Sequence, residues 1–150
     1  MEGRWVQIEQ GPVPLRCWWN NPQKESKNVV LVLPEVFGVN SWVRSVVDRL
    51  AEQGIPALAM PLFARTAPEL DLGYTDDDLV EGRRHKEQTT AQQILDDASS
   101  ALGWLRQQYS QSKITVVGFC FGGHAALITS TLPDVDITFD FYGAGVTTTR

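Results

Sequence analysis

Three short apolar runs, at residues 29–33, 55–60 and 113–117, constrain this chain more than any other feature. Each is too short for a buried helix and lacks the alternation of a strand with one wet face. Such runs read as strands covered on both faces, the habit of a parallel sheet enclosed between helices. Segments of helical spacing separate them. Trp42, Val43, Val46, Val47 and Leu50 form one apolar stripe, and Ile94, Leu95, Ala98, Ala101, Leu102 and Leu105 form another. Strands alternating with helices predict an α/β fold with a mainly parallel sheet. A length of 150 residues predicts one domain, spanning 1–150.

The remaining elements follow from punctuation. Residues 4–9 and 13–19 read as a strand pair joined at Gly11-Pro12. Asn40 or Ser41 caps the helix that follows the first apolar run, and Gly54 suits its far end. Residues 62–82 are the least regular stretch, with Pro68, Gly73 and the acidic run Asp76-Asp77-Asp78. A long connection of this kind is either a functional loop or a solvated excursion, and the sequence favours neither. A helix is expected over 87–109, a short apolar helix over 121–131 and a further strand over 135–141, followed by Tyr142-Gly143-Ala144-Gly145.

Composition narrows the function classes. Hydrophobic residues make up 43% and charged residues 21%, as in folded globular chains. The net charge of -5 gives no support to binding nucleic acid or an anionic membrane surface. No apolar run approaches a membrane span, and the first residues lack a signal-peptide pattern, so the expected location is cytoplasmic. Two cysteines, Cys17 and Cys120, and two histidines, His85 and His124, are too few and too scattered for a disulfide framework or a zinc site. No metal and no cofactor is expected.

The chemistry sits where the third apolar run ends. Gly118-Phe119-Cys120-Phe121-Gly122 joins that strand to the apolar helix. Strand, Gly-x-nucleophile-x-Gly, helix is the pattern of the nucleophile elbow of α/β-hydrolases, here with cysteine in place of serine. A strained turn needs small neighbours two residues to either side, and Gly118 and Gly122 supply them. The helix N-terminus favours thiolate over thiol at Cys120, and the N–H of Phe121 is a candidate oxyanion donor. The competing reading of Cys120 is a small core residue, as most free cysteines are. The strand before it and the helix after it favour the nucleophile.

A second informative stretch is Pro34-Glu35-Val36-Phe37-Gly38-Val39-Asn40. In that fold this loop supplies the second oxyanion donor, for which Val36 is the candidate. Glu35 has two readings of equal weight. It either exchanges a proton with Cys120 or is a surface residue capping the next helix.

These segments, with Pro61-Leu62-Phe63-Ala64-Arg65, Gly123 and Phe141-Tyr142-Gly143, resemble the dienelactone hydrolase (carboxymethylenebutenolidase) family over almost the whole chain. The resemblance implies an α/β-hydrolase fold, a three-layer sandwich around a mainly parallel sheet, with the C-terminal strands and helix missing. It implies a cysteine hydrolase that opens a small lactone or ester through an acyl-enzyme. Cys120 is then the nucleophile, Glu35 takes the thiol proton when substrate binds, and Val36 and Phe121 hold the oxyanion. An arginine in the middle region binds the substrate carboxylate. Arg83 and Arg84 lie in that region and Arg65 is a third option, although a solvated surface charge is the better reading of each alone.

The family's triad acid and histidine come later than Arg150, so the chain is expected to be a C-terminally incomplete domain with little turnover of its own. His124, one turn along the elbow helix, reads as a packing or surface residue, and His85 as exposed. Asp140 alternates with apolar neighbours but is not assigned as the acid. Two other readings stay open. One is a non-catalytic remnant that binds a small carboxylated ligand or a partner protein. The other is a general carboxylesterase. The oligomeric state is not legible.

Overall fold

The structure, a computed structural model, describes residues 3–22 and 25–141. The expected features at Tyr142 to Gly145, and the rest of the C-terminus, lie outside the described residues.

The chain begins with strands β1 (Arg4–Ile8) and β2 (Leu15–Asn20), an antiparallel pair. Next come β3 (Asn28–Leu33), α1 (Ser41–Glu52) and β4 (Ala57–Ala59). Helices α2 (Asp76–Glu87) and α3 (Ala91–Gln108) precede β5 (Lys113–Phe119), α4 (Phe121–Thr129) and β6 (Ile137–Phe141). The sheet order is β1-β2-β4-β3-β5-β6. From β4 to β6 the neighbours are parallel, and the β2–β4 junction is antiparallel.

The apolar runs are continuous because alternate residues serve different cores. Val29, Leu31 and Leu33 of β3 pack with Ile94, Ala98, Leu102 and Leu105 of α3 and Ala125 of α4. Val30 and Val32 pack on the other face with Val43 and Val47 of α1. The sheet therefore lies between α1 and the α3–α4 pair, which is the three-layer arrangement expected. Asn40 caps α1 through its side-chain oxygen, 3.1 Å from the N–H of Val43. Gly54 follows that helix at φ 84°, a left-handed position that suits glycine.

The stretch 62–82 is more regular than its sequence suggests, because α2 begins inside it. This helix has few buried residues, Gly82 and His85, and so no apolar stripe to read. Its ends specify it. Thr75 and Asp78 form a capping box, three aspartates occupy the first turn, and Arg84, His85 and Lys86 occupy the last. A second capping box, Thr90 with Gln93, starts α3. The helix expected over 87–109 therefore begins at Ala91, and Glu87 belongs to α2.

At the sheet edge, among the described residues, Ile137, Phe139 and Phe141 of β6 are exposed by 43%, 50% and 48%. Asp140 is also exposed. No helix among the described residues is long and apolar enough to cross a membrane.

Candidate active site

Parallel pairing of β3 with β5 places Leu33 opposite Gly118. Glu35 and Cys120 each stand two residues beyond that pair, so one end of the sheet carries both. Cys120 has φ 54° and ψ -118°, and it is the one non-glycine residue with positive φ among those described. A side chain held there is strained, and such strain collects at functional sites. The turn is fixed on both sides. The Cys120 N–H donates to the Phe141 carbonyl at 2.9 Å, and the Cys120 carbonyl accepts from Gly123 N at 2.9 Å.

The two elbow glycines meet different obstacles. A Cβ at Gly118 would strike the Gly122 carbonyl, where strand and helix cross. A Cβ at Gly122 would strike the Leu33 and Pro34 carbonyls, where α4 meets the end of β3. Gly118 therefore lets strand and helix close the elbow, and Gly122 lets the loop carrying Glu35 and Val36 come against it. Phe121 is the first residue of α4, so its N–H has no partner within the helix. Val36 is buried in the turn that closes at Gly38, whose φ is 84°.

Helix α2 covers this loop. A Cβ at Gly82 would strike the Val36 carbonyl, so the helix axis approaches the loop backbone directly. One turn later, Lys86 Nζ lies 5.4 Å from the centre of the Phe121 ring. Arg83 and Arg84 are on the same helix and are both exposed. Arg84 is bonded to Glu81.

Two surface readings are corrected here. His85 is buried, 8% exposed, because α2 turns it inward. Its Nδ1 lies 2.8 Å from Thr66 Oγ1 and its Nε2 lies 2.7 Å from Glu81. That bond holds the Glu81 carboxyl below its ordinary range. Arg65 pairs at 2.8 Å with Asp97, a carboxylate 1% exposed in α3. It anchors a turn and is not a free surface charge. Phe63, on the same turn, stacks on Phe121 at 5.9 Å and on His85 at 6.1 Å. His124 packs its ring 5.9 Å from Phe121, as a helix-packing residue does.

Sequence reasoning missed Tyr74. Its hydroxyl lies 3.0 Å from Glu35 Oε1, and Asn40 Nδ2 lies 3.2 Å from the same hydroxyl. The ring stands edge-on to Phe37 at 4.7 Å. Asn40 carried a signal as a helix cap, but nothing in the sequence marked Tyr74. The two thiols differ sharply in setting. Cys17 is fully buried in β2, and burial, with the Asp97 charge nearby, pushes its pKa far up. Cys120 is partly exposed. Among the described residues no cluster of His, Cys, Asp or Glu is suited to a metal.

A cysteine at a positive-φ strand-to-helix turn, on a mainly parallel sheet between helices, defines an α/β-hydrolase. Comparison with known proteins agrees and goes further. Residues 15–150 match the profile of the dienelactone hydrolase family, and the chain belongs to that family. A Synechocystis protein provisionally named carboxymethylenebutenolidase is 38% identical over 120 residues, covering 79% of this chain and 49% of that protein. The carboxymethylenebutenolidase of Pseudomonas putida is 32% identical, covering 84% of this chain and 54% of its own. The chain thus spans about half the length of the curated relatives it matches. Among solved structures, the dienelactone hydrolase of Anabaena variabilis superposes with a TM-score of 0.65 at 18% identity, over 91% of this chain and 61% of that one. At that identity the likeness concerns the fold alone.

Proposed function

We propose that this chain carries the acylation half of a lactone- or ester-cleaving site, with Cys120 as nucleophile. The observation that carries this reading is the strained, partly exposed Cys120 at the elbow, two residues beyond the strand pair that also brings Glu35. Glu35 takes the thiol proton. The thiolate attacks the carbonyl carbon, and the N–H groups of Val36 and Phe121 hold the oxyanion. Collapse expels the leaving oxygen and leaves a thioester on Cys120, which water then hydrolyses. The substrate class is a small lactone or ester, as the names of the curated relatives suggest. Arg83 is the stronger candidate for a substrate carboxylate, because Arg84 is engaged by Glu81. A cytoplasmic setting suits a site that depends on a free thiol, which the cytosol keeps reduced.

Hydrolysis of the thioester needs a base. His85 is bonded through both ring nitrogens, and His124 lies one turn along α4 from the nucleophile. Neither is placed for that role, so this chain by itself acylates and turns over slowly. Mixing it with p-nitrophenyl acetate tests this. About one equivalent of nitrophenol is expected in a burst, with the acetyl group on Cys120 by mass spectrometry. A burst that persists in Cys120→Ala refutes the assignment.

A further inference from the structure

We infer that Tyr74 is a positioning residue that holds the Glu35 carboxylate and so biases where the proton shared with Cys120 resides. The inference rests on the proposed role of Glu35 as proton acceptor for Cys120.

The direction of each hydrogen bond around Tyr74 is determined. Asn40 accepts from the Val43 N–H through its side-chain oxygen, as the cap of α1. Its amide nitrogen therefore faces the other way, and it donates to the Leu72 carbonyl at 3.0 Å and to the Tyr74 hydroxyl at 3.2 Å. An amide nitrogen only donates, so the phenol oxygen accepts there. The phenol proton is left to donate to Glu35 Oε1 at 3.0 Å. Burial raises the Tyr74 pKa, the Asn40 bond opposes that in part and the neighbouring Glu35 charge adds to it, so the phenol stays a donor. The relay thus runs from a buried helix cap, through one hydroxyl, to the carboxylate beside the elbow. Phe37, edge-on at 4.7 Å, holds the ring in this line.

Such a bond stabilises the ionised carboxylate over the acid. When Glu35 and Cys120 share one proton, Tyr74 therefore favours carboxylate with thiol over carboxylic acid with thiolate. Removing the hydroxyl shifts that distribution towards thiolate and makes Cys120 more reactive.

Tyr74→Phe tests this, because it keeps the ring and removes the hydroxyl from a residue that is 57% exposed. The readout is the rate of Cys120 alkylation by iodoacetamide against pH, followed by peptide mapping on the full chain. The expected change near neutral pH is an acceleration of about three- to tenfold, the reach of one partly exposed charge-assisted hydrogen bond. In a Glu35→Gln background the same substitution should change nothing. An unchanged rate and pH profile in Tyr74→Phe, where Glu35→Gln alone alters both, overturns the inference and leaves the role of Glu35 standing. An equal acceleration in the Glu35→Gln background also overturns it. A profile that Glu35→Gln does not alter removes the proton-acceptor role itself, and the inference with it.

Discussion

Arg65 and Asp97 form an ion pair, 2.8 Å long, whose carboxylate is 1% exposed and whose second oxygen has no hydrogen-bond partner among the described residues. The pair ties the turn carrying Phe63 and Thr66 to α3, and through Phe63 that turn supports Phe121. Removing one partner leaves a buried charge without its counterion. Arg65→Met should therefore cost about 3 kcal/mol in urea unfolding, the lower part of the range for broken buried pairs. A loss below about 1 kcal/mol places the pair among surface ion pairs of little value.

Asp97 also gives stability a pH dependence whose sign follows from its raised pKa. Burial raises its pKa above 3.8, and the Arg65 contact opposes that only in part. A carboxyl raised in the folded state binds its proton more tightly there than in the unfolded chain. Its favourable contribution is complete below the unfolded value and is lost as pH rises through the folded one. The stability of the parent, relative to Asp97→Asn, should therefore fall as pH rises above 3.8. Unfolding curves for both proteins across that range check the sign, and a difference that grows with pH contradicts it.

Two glycine substitutions should move stability in opposite directions. Both positions are helical, where alanine gains about 1 kcal/mol over glycine. At Gly103 an added Cβ meets the end of the flexible Gln10 side chain at 3.0 Å, so Gly103→Ala is expected to stabilise. At Gly122 it meets two backbone carbonyls that cannot yield without moving β3 from α4. Gly122→Ala should destabilise by about 3 kcal/mol despite its better propensity. Equal shifts in the denaturant midpoints of the two variants contradict this account.

The thiols should separate by environment. In the native chain Ellman's reagent is expected to report Cys120 rapidly, and Cys17 only as the protein unfolds, because Cys17 is fully buried with a raised pKa. Rapid labelling of both in native buffer contradicts the buried setting of Cys17.

Arg83→Gln should raise KM for an ester bearing a carboxylate and leave a neutral ester of the same shape unaffected. Arg84→Gln should leave both unchanged. Since both residues are exposed, each substitution should move stability by less than about 0.5 kcal/mol. The KM comparison is made under single-turnover conditions, which read acylation alone. An effect of Arg84→Gln equal to that of Arg83→Gln sends the assignment back to the helix as a whole.

The sequence by itself determined the sheet and the elbow. Strands covered on both faces leave an unbroken apolar run, and a tight strand-to-helix turn leaves glycines two residues either side of Cys120. These are local demands, so they are written locally. Helix α2 was harder to read because its evidence is in its caps, and it buries little. Tertiary structure alone decided the rest. His85 turned inward, Arg65 found Asp97, and Tyr74 reached Glu35 across 39 residues of chain. Each of these is a polar side chain whose role depends on a partner far away in sequence. Hydrophobic periodicity records which face is buried, but it does not record which polar group will be opposite.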